Sequence, residues 1–233
     1  MKSALLLVTM LCSVRCAYSQ GTVLFANRVP SVLSAPIWGP CVDPSIKLTG
    51  SLEPSSLEFP PGPNGYQRCG SQKIGGLNYS AQLWGAPIGA SPDLFQPAFG
   101  TNGSSILTST FRTGSGASLL ITTIAQLNNV APGERASLVI RAWDNRGGAI
   151  MSWSQVLADP SVLRGESEVV NLPMLGGVLG DGTLIETPYL RGLTSFNLYI
   201  VPEPTTIGLL LLGATAFVLS RASNGKKTPD PLN

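Results

Sequence analysis

The sequence contains no histidine. Catalytic triads with an imidazole base, histidine-ligated zinc sites and histidine phosphotransfer are therefore excluded. Lysine is also scarce in residues 20–200, where only Lys47 and Lys73 occur, and neither has the Ser-x-x-Lys spacing of a serine–lysine hydrolase. The composition thus predicts no catalytic residue, no metal site and no cofactor.

Charge of either sign is also scarce. Charged residues make up 12% of the chain, about half the share found in an average soluble protein. In residues 20–200 the basic and acidic side chains nearly cancel, so nucleic acid is not an expected partner. Glycine and proline are abundant by contrast, a balance that suits short strands joined by turns.

The remaining route to catalysis is a pair of carboxylates that hydrolyse a glycosidic bond. Asp144 and Asp181 lie in Asp-Asn and Asp-Gly turn sequences, and Glu166 and Glu168 flank the start of a predicted strand. Asp159 is also available. Turn and strand-end roles explain these residues better, so a carboxylate-based glycan-active enzyme is the remote alternative.

Short apolar runs between turn residues recur along residues 20–200. Leu77, Tyr79, Ala81 and Leu83 alternate with polar residues, which is the period-two pattern of a half-buried strand. The candidate strands are residues 22–26, 77–83, 118–124, 136–143, 149–156, 168–172 and 195–200. Because no helical pattern separates them, we predict one mainly β domain, an antiparallel β-sandwich or jelly roll.

The N-terminus has the pattern of a secretory signal. Lys2 precedes an apolar core, and Ala17 and Ser19 are small residues at the two positions that a signal peptidase reads. We therefore predict that residues 1–19 are a cleaved signal peptide and that residues 20–200 are exported.

After removal of this signal, two cysteines remain, Cys41 and Cys69. An exported protein reaches a compartment that permits disulfides, so we expect them to form one. Closing the proline- and glycine-rich loop between them would stabilise the fold by about 3 to 4 kcal/mol in the chain-entropy model. Two reduced buried cysteines are the alternative, and a metal site is weaker because no histidine completes it.

The C-terminal segment combines three features in a fixed order. Val201, Pro202, Glu203 and Pro204 form a short segment that the prolines hold extended. Residues 205–220 are apolar, and a helix over them would be about 24 Å long against a hydrocarbon core of about 30 Å. Cations follow, which places the C-terminus in the cytoplasm: Arg221, Lys226 and Lys227.

This order of motif, helix and cations resembles the sorting signal of PEP-CTERM proteins. The resemblance maps the motif of that family onto residues 201–204, its transmembrane helix onto residues 205–220 and its basic tail onto residues 221–233. It implies processing by an exosortase-like membrane enzyme in the inner membrane of an exopolysaccharide-producing cell. The sequences at residues 20–28, 80–85 and 139–144 also look like uncharacterised β-rich domains that carry this signal. A core helix docked on the domain is the alternative for residues 205–220.

Four tryptophans allow a second hypothesis about function. Their flat faces are suited to sugar rings, although tryptophan is more often a core residue. The candidates are Trp38, Trp84, Trp143 and Trp153.

The sequence therefore predicts a non-enzymatic exported protein of the cell envelope or extracellular matrix. It would be anchored with its N-terminus outside and its C-terminus inside before processing, and at the cell surface or extracellular afterwards. Exopolysaccharide is a possible ligand, and a carbohydrate-binding surface module is the alternative function.

Overall fold

The computed structural model describes residues 20–50 and 69–201. These residues form a mainly β structure in which antiparallel pairs predominate. The predicted signal peptide, Pro202 to Pro204, the apolar segment and the basic tail lie outside the described residues.

The largest sheet has six strands and is built around one long antiparallel pair. Strands β6 (Gly76–Pro87) and β10 (Ala136–Asp144) pair along the whole length of β10. Two short strands flank β6, namely β7 (Gln96–Pro97) and β8 (Thr108–Phe111). Two more flank β10, namely β11 (Arg164–Glu166) and β12 (Val170–Leu172).

A second sheet pairs β1 (Gly21–Phe25) with β9 (Thr123–Leu127) in antiparallel register. Val23 and Leu127 from this pair share one buried cluster with Leu83 and Ile140 of the large sheet. The two sheets therefore enclose a common core between them. Two backbone bridges add further connections to the β1–β9 pair. Phe99, which follows β7, pairs with Gln126 of β9, and Gly176, which follows β12, pairs with Thr22 of β1.

The C-terminal strand belongs to a third, three-stranded sheet. Strand β15 (Ser195–Asn197) lies between β4 (Ile37–Trp38), to which it is parallel, and β5 (Thr49–Gly50), to which it is antiparallel. The remaining strands form two small hairpins: β2 (Arg28–Val29) with β3 (Leu33–Ser34), and β13 (Gly177–Val178) with β14 (Leu184–Ile185).

The prediction of a strand over residues 149–156 is wrong. The chain instead forms a helix, α1 (Trp153–Ala158), which begins at a capping box in which Ser152 and Gln155 satisfy each other's backbone N–H groups. Trp153 and Val156 lie on its buried face and pack against Trp143 on the outer face of the large sheet, which is the face turned away from β1 and β9. Trp153 and Val156 are three residues apart, which is the spacing of neighbours on one face of a helix.

Candidate functional site

The part of the structure closest to the predicted sorting motif is the C-terminal strand. Its polar residues, which the sequence pattern placed opposite the apolar ones, are buried as well: Ser195 and Asn197 are 0% and 1% exposed. The reason is that residues 41–50 cover that side of the strand. Phe196 fills the opposite side, in the main core.

Asn197 holds this covering segment in place. Its Oδ1 accepts a hydrogen bond from the Leu48 N–H at 2.7 Å, and its Nδ2 donates to the Ile46 carbonyl at 2.9 Å. The same Nδ2 lies 3.6 Å from the sulfur of Cys41. One buried amide thus links the terminal strand to the loop that carries the disulfide.

Cys41 and Cys69 are joined by a disulfide, as predicted, with their Cα atoms 4.9 Å apart. Cys41 is buried, and the backbone N–H of Val42 donates to the Cys69 carbonyl at 2.8 Å. The bond ties residues 69–74 to the segment that covers β15. It therefore stabilises the end of the domain that leads into residues 201–204.

Backbone hydrogen bonds continue to the last residue before that motif. Tyr199 exchanges two backbone hydrogen bonds with Arg164 of β11, and the Ile200 N–H donates to the Pro44 carbonyl at 2.7 Å. Val201, the first residue of the motif, is half-buried. In the part of the chain that the structure describes, none of the helices has the length and apolarity needed to cross a bilayer.

The four tryptophans are not equivalent. Trp38, Trp143 and Trp153 are 2%, 0% and 5% exposed, so their rings are packed inside the protein. Trp143 also donates its indole N–H to the Ile150 carbonyl at 3.0 Å, which satisfies its polar atom. Trp84 is half-buried and lies on the outer face of the large sheet.

Two of these rings, those of Trp84 and Trp153, lie on either side of a single arginine. The guanidinium carbon of Arg141 lies 4.3 Å from the ring centroid of Trp84 and 5.2 Å from that of Trp153. Trp153 in turn packs against Trp143 at a centroid distance of 6.0 Å. A cation between two aromatic faces is favourable on both sides, so this stack holds α1 on the sheet.

A row of polar side chains crosses the outer face through this arginine. The row consists of four residues that are paired in register on four neighbouring strands: Thr108, Gln82, Arg141 and Glu166. Gln82 donates to Thr108 Oγ1 at 3.0 Å and accepts from the indole N–H of Trp84 at 3.2 Å. Arg141 Nε lies 2.7 Å from Glu166 Oε1. We call Trp84, Arg141, Gln82 and Glu166 the outer-face cluster.

The candidate catalytic carboxylates occupy structural positions. Asp159 accepts from Ser161, and these hydrogen bonds, with a smaller contribution from Arg146, hold the pKa of Asp159 below its usual value. Asp181 accepts from the backbone N–H of Thr183, which lowers its pKa. Asp144 accepts from the backbone N–H of Arg146, and Glu168 is exposed. Residues 20–50 and 69–201 contain no group of three or more acidic or cysteine side chains suited to a metal ion.

Sequence reasoning missed Asn197 and Arg141. Asn197 alternates with the apolar residues Phe196 and Leu198, a pattern that by itself gives no sign of a buried linking role. Arg141 could have been found from the sequence. It is the single charged residue in the mostly apolar strand at residues 136–143, and a tryptophan follows two residues later.

Comparison with known proteins adds no further constraint. No family model, curated protein or solved structure matches this chain.

Proposed function

We propose that this chain is a non-enzymatic exported envelope protein that is sorted through its C-terminal segment. Residues 1–19 would direct export, and residues 205–220 would halt translocation in the inner membrane with residues 221–233 in the cytoplasm. An exosortase-like membrane enzyme would then act at residues 201–204. The delivered domain would be a β-sandwich, because the two sheets share one core between them.

The observation that carries this proposal is that the folded, hydrogen-bonded domain extends to the residue directly before the motif. Ile200 is still bonded to Pro44, and the motif begins at the next residue. The prolines of the motif cannot continue a strand in a sheet interior and favour an extended backbone. A folded domain followed at once by a rigid extended segment is a suitable substrate for an enzyme that works at the membrane surface.

The disulfide supports export independently. Disulfides persist in the periplasm and outside the cell, whereas cytosolic reductants keep most cysteines reduced. The Cys41–Cys69 bond fastens the loop that covers the terminal strand, so it reinforces the end of the domain that bears the membrane tether.

A non-enzymatic role agrees with the state of the carboxylates. A general acid requires a raised pKa, but turn hydrogen bonds lower the pKa of Asp159 and Asp181. Glu166 is paired with Arg141. These residues have local structural partners that account for their presence.

The chain offers a matched control for a test of the motif. Pro202→Ala with Pro204→Ala removes the rigid segment, while Pro229→Ala with Pro231→Ala changes a second Pro-acid-Pro sequence in the tail. We expect the first pair to accumulate unprocessed chain in the membranes of the native host and the second pair to be processed normally. Equal processing of both would contradict recognition of residues 201–204.

A carbohydrate-binding role is a second candidate, supported only by the outer-face cluster. Trp84 is the tryptophan that retains partial exposure, and Gln82, Arg141 and Glu166 place polar groups beside its ring. Trp84→Ala should abolish retention of the full-length protein on a polysaccharide panel, whereas Trp38→Phe should not. An absence of retention on every polysaccharide would remove this candidate.

A further inference from the structure

We propose that a cleft beside the β2–β3 hairpin binds the carboxylate of a small organic acid with an aliphatic body. The cleft encloses about 440 Å³, which lies in the range of small-molecule sites, roughly 300 to 1,000 Å³. Its apolar surface comes from Leu24, Val29, Pro30 and Leu120, and two arginines, Arg28 and Arg112, line it as well. This inference does not depend on how the chain is sorted.

A buried asparagine fixes the two walls of the cleft relative to each other. Asn27 is 1% exposed and directly precedes Arg28. Its Nδ2 donates to the carbonyls of Ala35 and Ser118, both at 2.9 Å, and its Oδ1 accepts from the Leu120 N–H at 2.8 Å. The wall that carries Arg28 is therefore bonded directly to the wall that carries Leu120, and the cleft is preformed.

The position of Arg112 is also constrained. Its aliphatic stem packs on Gly116, where an added Cβ would lie 3.0 Å from Arg112 Cβ and 3.3 Å from Cδ. Its Nη2 lies 3.4 Å from the hydroxyl of Thr122, another residue of the cleft. The side chain is held over the cleft at both its stem and its guanidinium group, which lowers the entropy cost of binding a ligand.

Among the described residues, no acidic side chain is paired with the arginines of the cleft. Within the described residues, ion pairs are formed by Arg141 with Glu166 and by Arg146 with Asp159, whereas neither Arg28 nor Arg112 has an acidic partner. The described residues that line the cleft include no acidic side chain. A guanidinium group matches a carboxylate with two parallel hydrogen bonds, so two such groups in one cleft favour an anion.

The body of the ligand follows from the rest of the lining. Sugar rings are usually held against aromatic faces, but the lining residues are aliphatic apart from the arginines and Thr122. An aliphatic chain would bury its surface against Leu24, Val29 and Leu120, at about 25 cal/mol per Å² of apolar area. A ligand that combines a carboxylate with an aliphatic chain therefore fits this cleft better than a sugar acid does.

Saturation-transfer NMR on the full-length protein in lipid nanodiscs, with empty nanodiscs subtracted, tests this site. The probes are hexanoate, hexan-1-ol with the same body but no charge, acetate with the charge but no body, and glucuronate with the charge on a polar body. We expect hexanoate to bind about tenfold more tightly than each of the other three.

Variants connect binding to the cleft. Arg28→Gln with Arg112→Gln should weaken hexanoate binding about tenfold or more, while Arg135→Gln, which removes one positive charge outside the cleft lining, should leave it unchanged. Gly116→Ala keeps every charge and should weaken binding several-fold by displacing the Arg112 stem. Unchanged melting and an intact disulfide establish that each variant is folded.

Three results would overturn the proposal. In the first, hexanoate shows no saturable binding; in the second, hexan-1-ol or glucuronate binds as tightly as hexanoate. In the third, the double arginine variant binds hexanoate as tightly as the unaltered protein does. None of these results bears on processing at residues 201–204, so the site and the proposed function fail separately.

Discussion

At the residue scale, a few polar side chains determine how the periphery is joined to the core. Asn197 and Asn27 are both almost fully buried, and each bonds backbone groups of segments distant in sequence. Buried polar groups are costly unless they are bonded. Their satisfied amides therefore indicate that these connections depend on asparagine specifically.

Asn197→Ala should destabilise the domain by about 2 to 4 kcal/mol, because it leaves the Leu48 N–H and the Ile46 carbonyl without their partner. Asn171→Ala is the control, since Asn171 is exposed and bonds only Ser137 among the described contacts. Its effect should be below about 1 kcal/mol. Urea unfolding curves measure both. A loss below about 1 kcal/mol for Asn197→Ala would contradict its linking role.

Arg141→Lys should cost about 1 to 2 kcal/mol, because lysine keeps the charge but loses the planar stacking on Trp84 and Trp153. Arg146→Lys is the matched control in an ion pair at the surface and should cost less than about 1 kcal/mol. Chemical unfolding followed by tryptophan fluorescence reports on both. Equal effects of the two substitutions would mean that the stack adds nothing.

At the element scale, the close approach of β11 to the terminal strand fixes the end of the domain. Gly165 of β11 faces Asn197 so closely that a Cβ would collide with the Asn197 carbonyl oxygen and lie 3.0 Å from Phe196 Cδ2. Only glycine permits this contact. Strand β15, which precedes residues 201–204, is thus held by β4 and β5 at its edges and by β11 beside them.

Gly165→Ala should destabilise the domain by about 2 kcal/mol or more, because one of the two strands must move. Gly180→Ala is the control, as nothing lies within 4 Å of an added Cβ there. It should leave stability unchanged to within about 0.5 kcal/mol. Thermal unfolding by circular dichroism measures both changes, and a neutral Gly165→Ala would show that the two strands are not tightly packed.

The elements differ in how far the sequence predicts them. Strands β1, β6, β10 and β15 lie within or close to their predicted ranges, because alternation or continuous apolar residues mark them. Residues 118–124 were predicted as one strand, but β9 begins only at Thr123, since Ser118 has a positive φ of 72°. Helix α1 was missed although its Ser-x-x-Gln capping box is legible in the sequence.

The candidate sites were less predictable than the strands. The disulfide was predicted and is confirmed, because the predicted signal peptide contains the other two cysteines and leaves one pairing for residues 20–200. The outer-face cluster and the arginine cleft depend on which residues meet across strands and loops. Such juxtapositions have no local sequence signature, so the four tryptophans looked alike until their burial was known.

At the scale of the whole molecule, the described structure is a β domain closed by one disulfide, and its hydrogen bonding extends to Ile200, directly before residues 201–204. Its charged groups are few, and four of the five carboxylates considered for catalysis have partners in turns or ion pairs. These properties suit a passive domain that is delivered and then persists outside the cell. The central claim is therefore delivery through the C-terminal segment.

Mass spectrometry of the C-terminal peptides of the protein, isolated from the envelope and medium of its native host, tests that claim most directly. Sorting predicts mature chains that begin at or near Gln20 and end within or near residues 201–204, with residues 205–233 missing. If all chains retain peptides through Asn233, the proposed processing is contradicted.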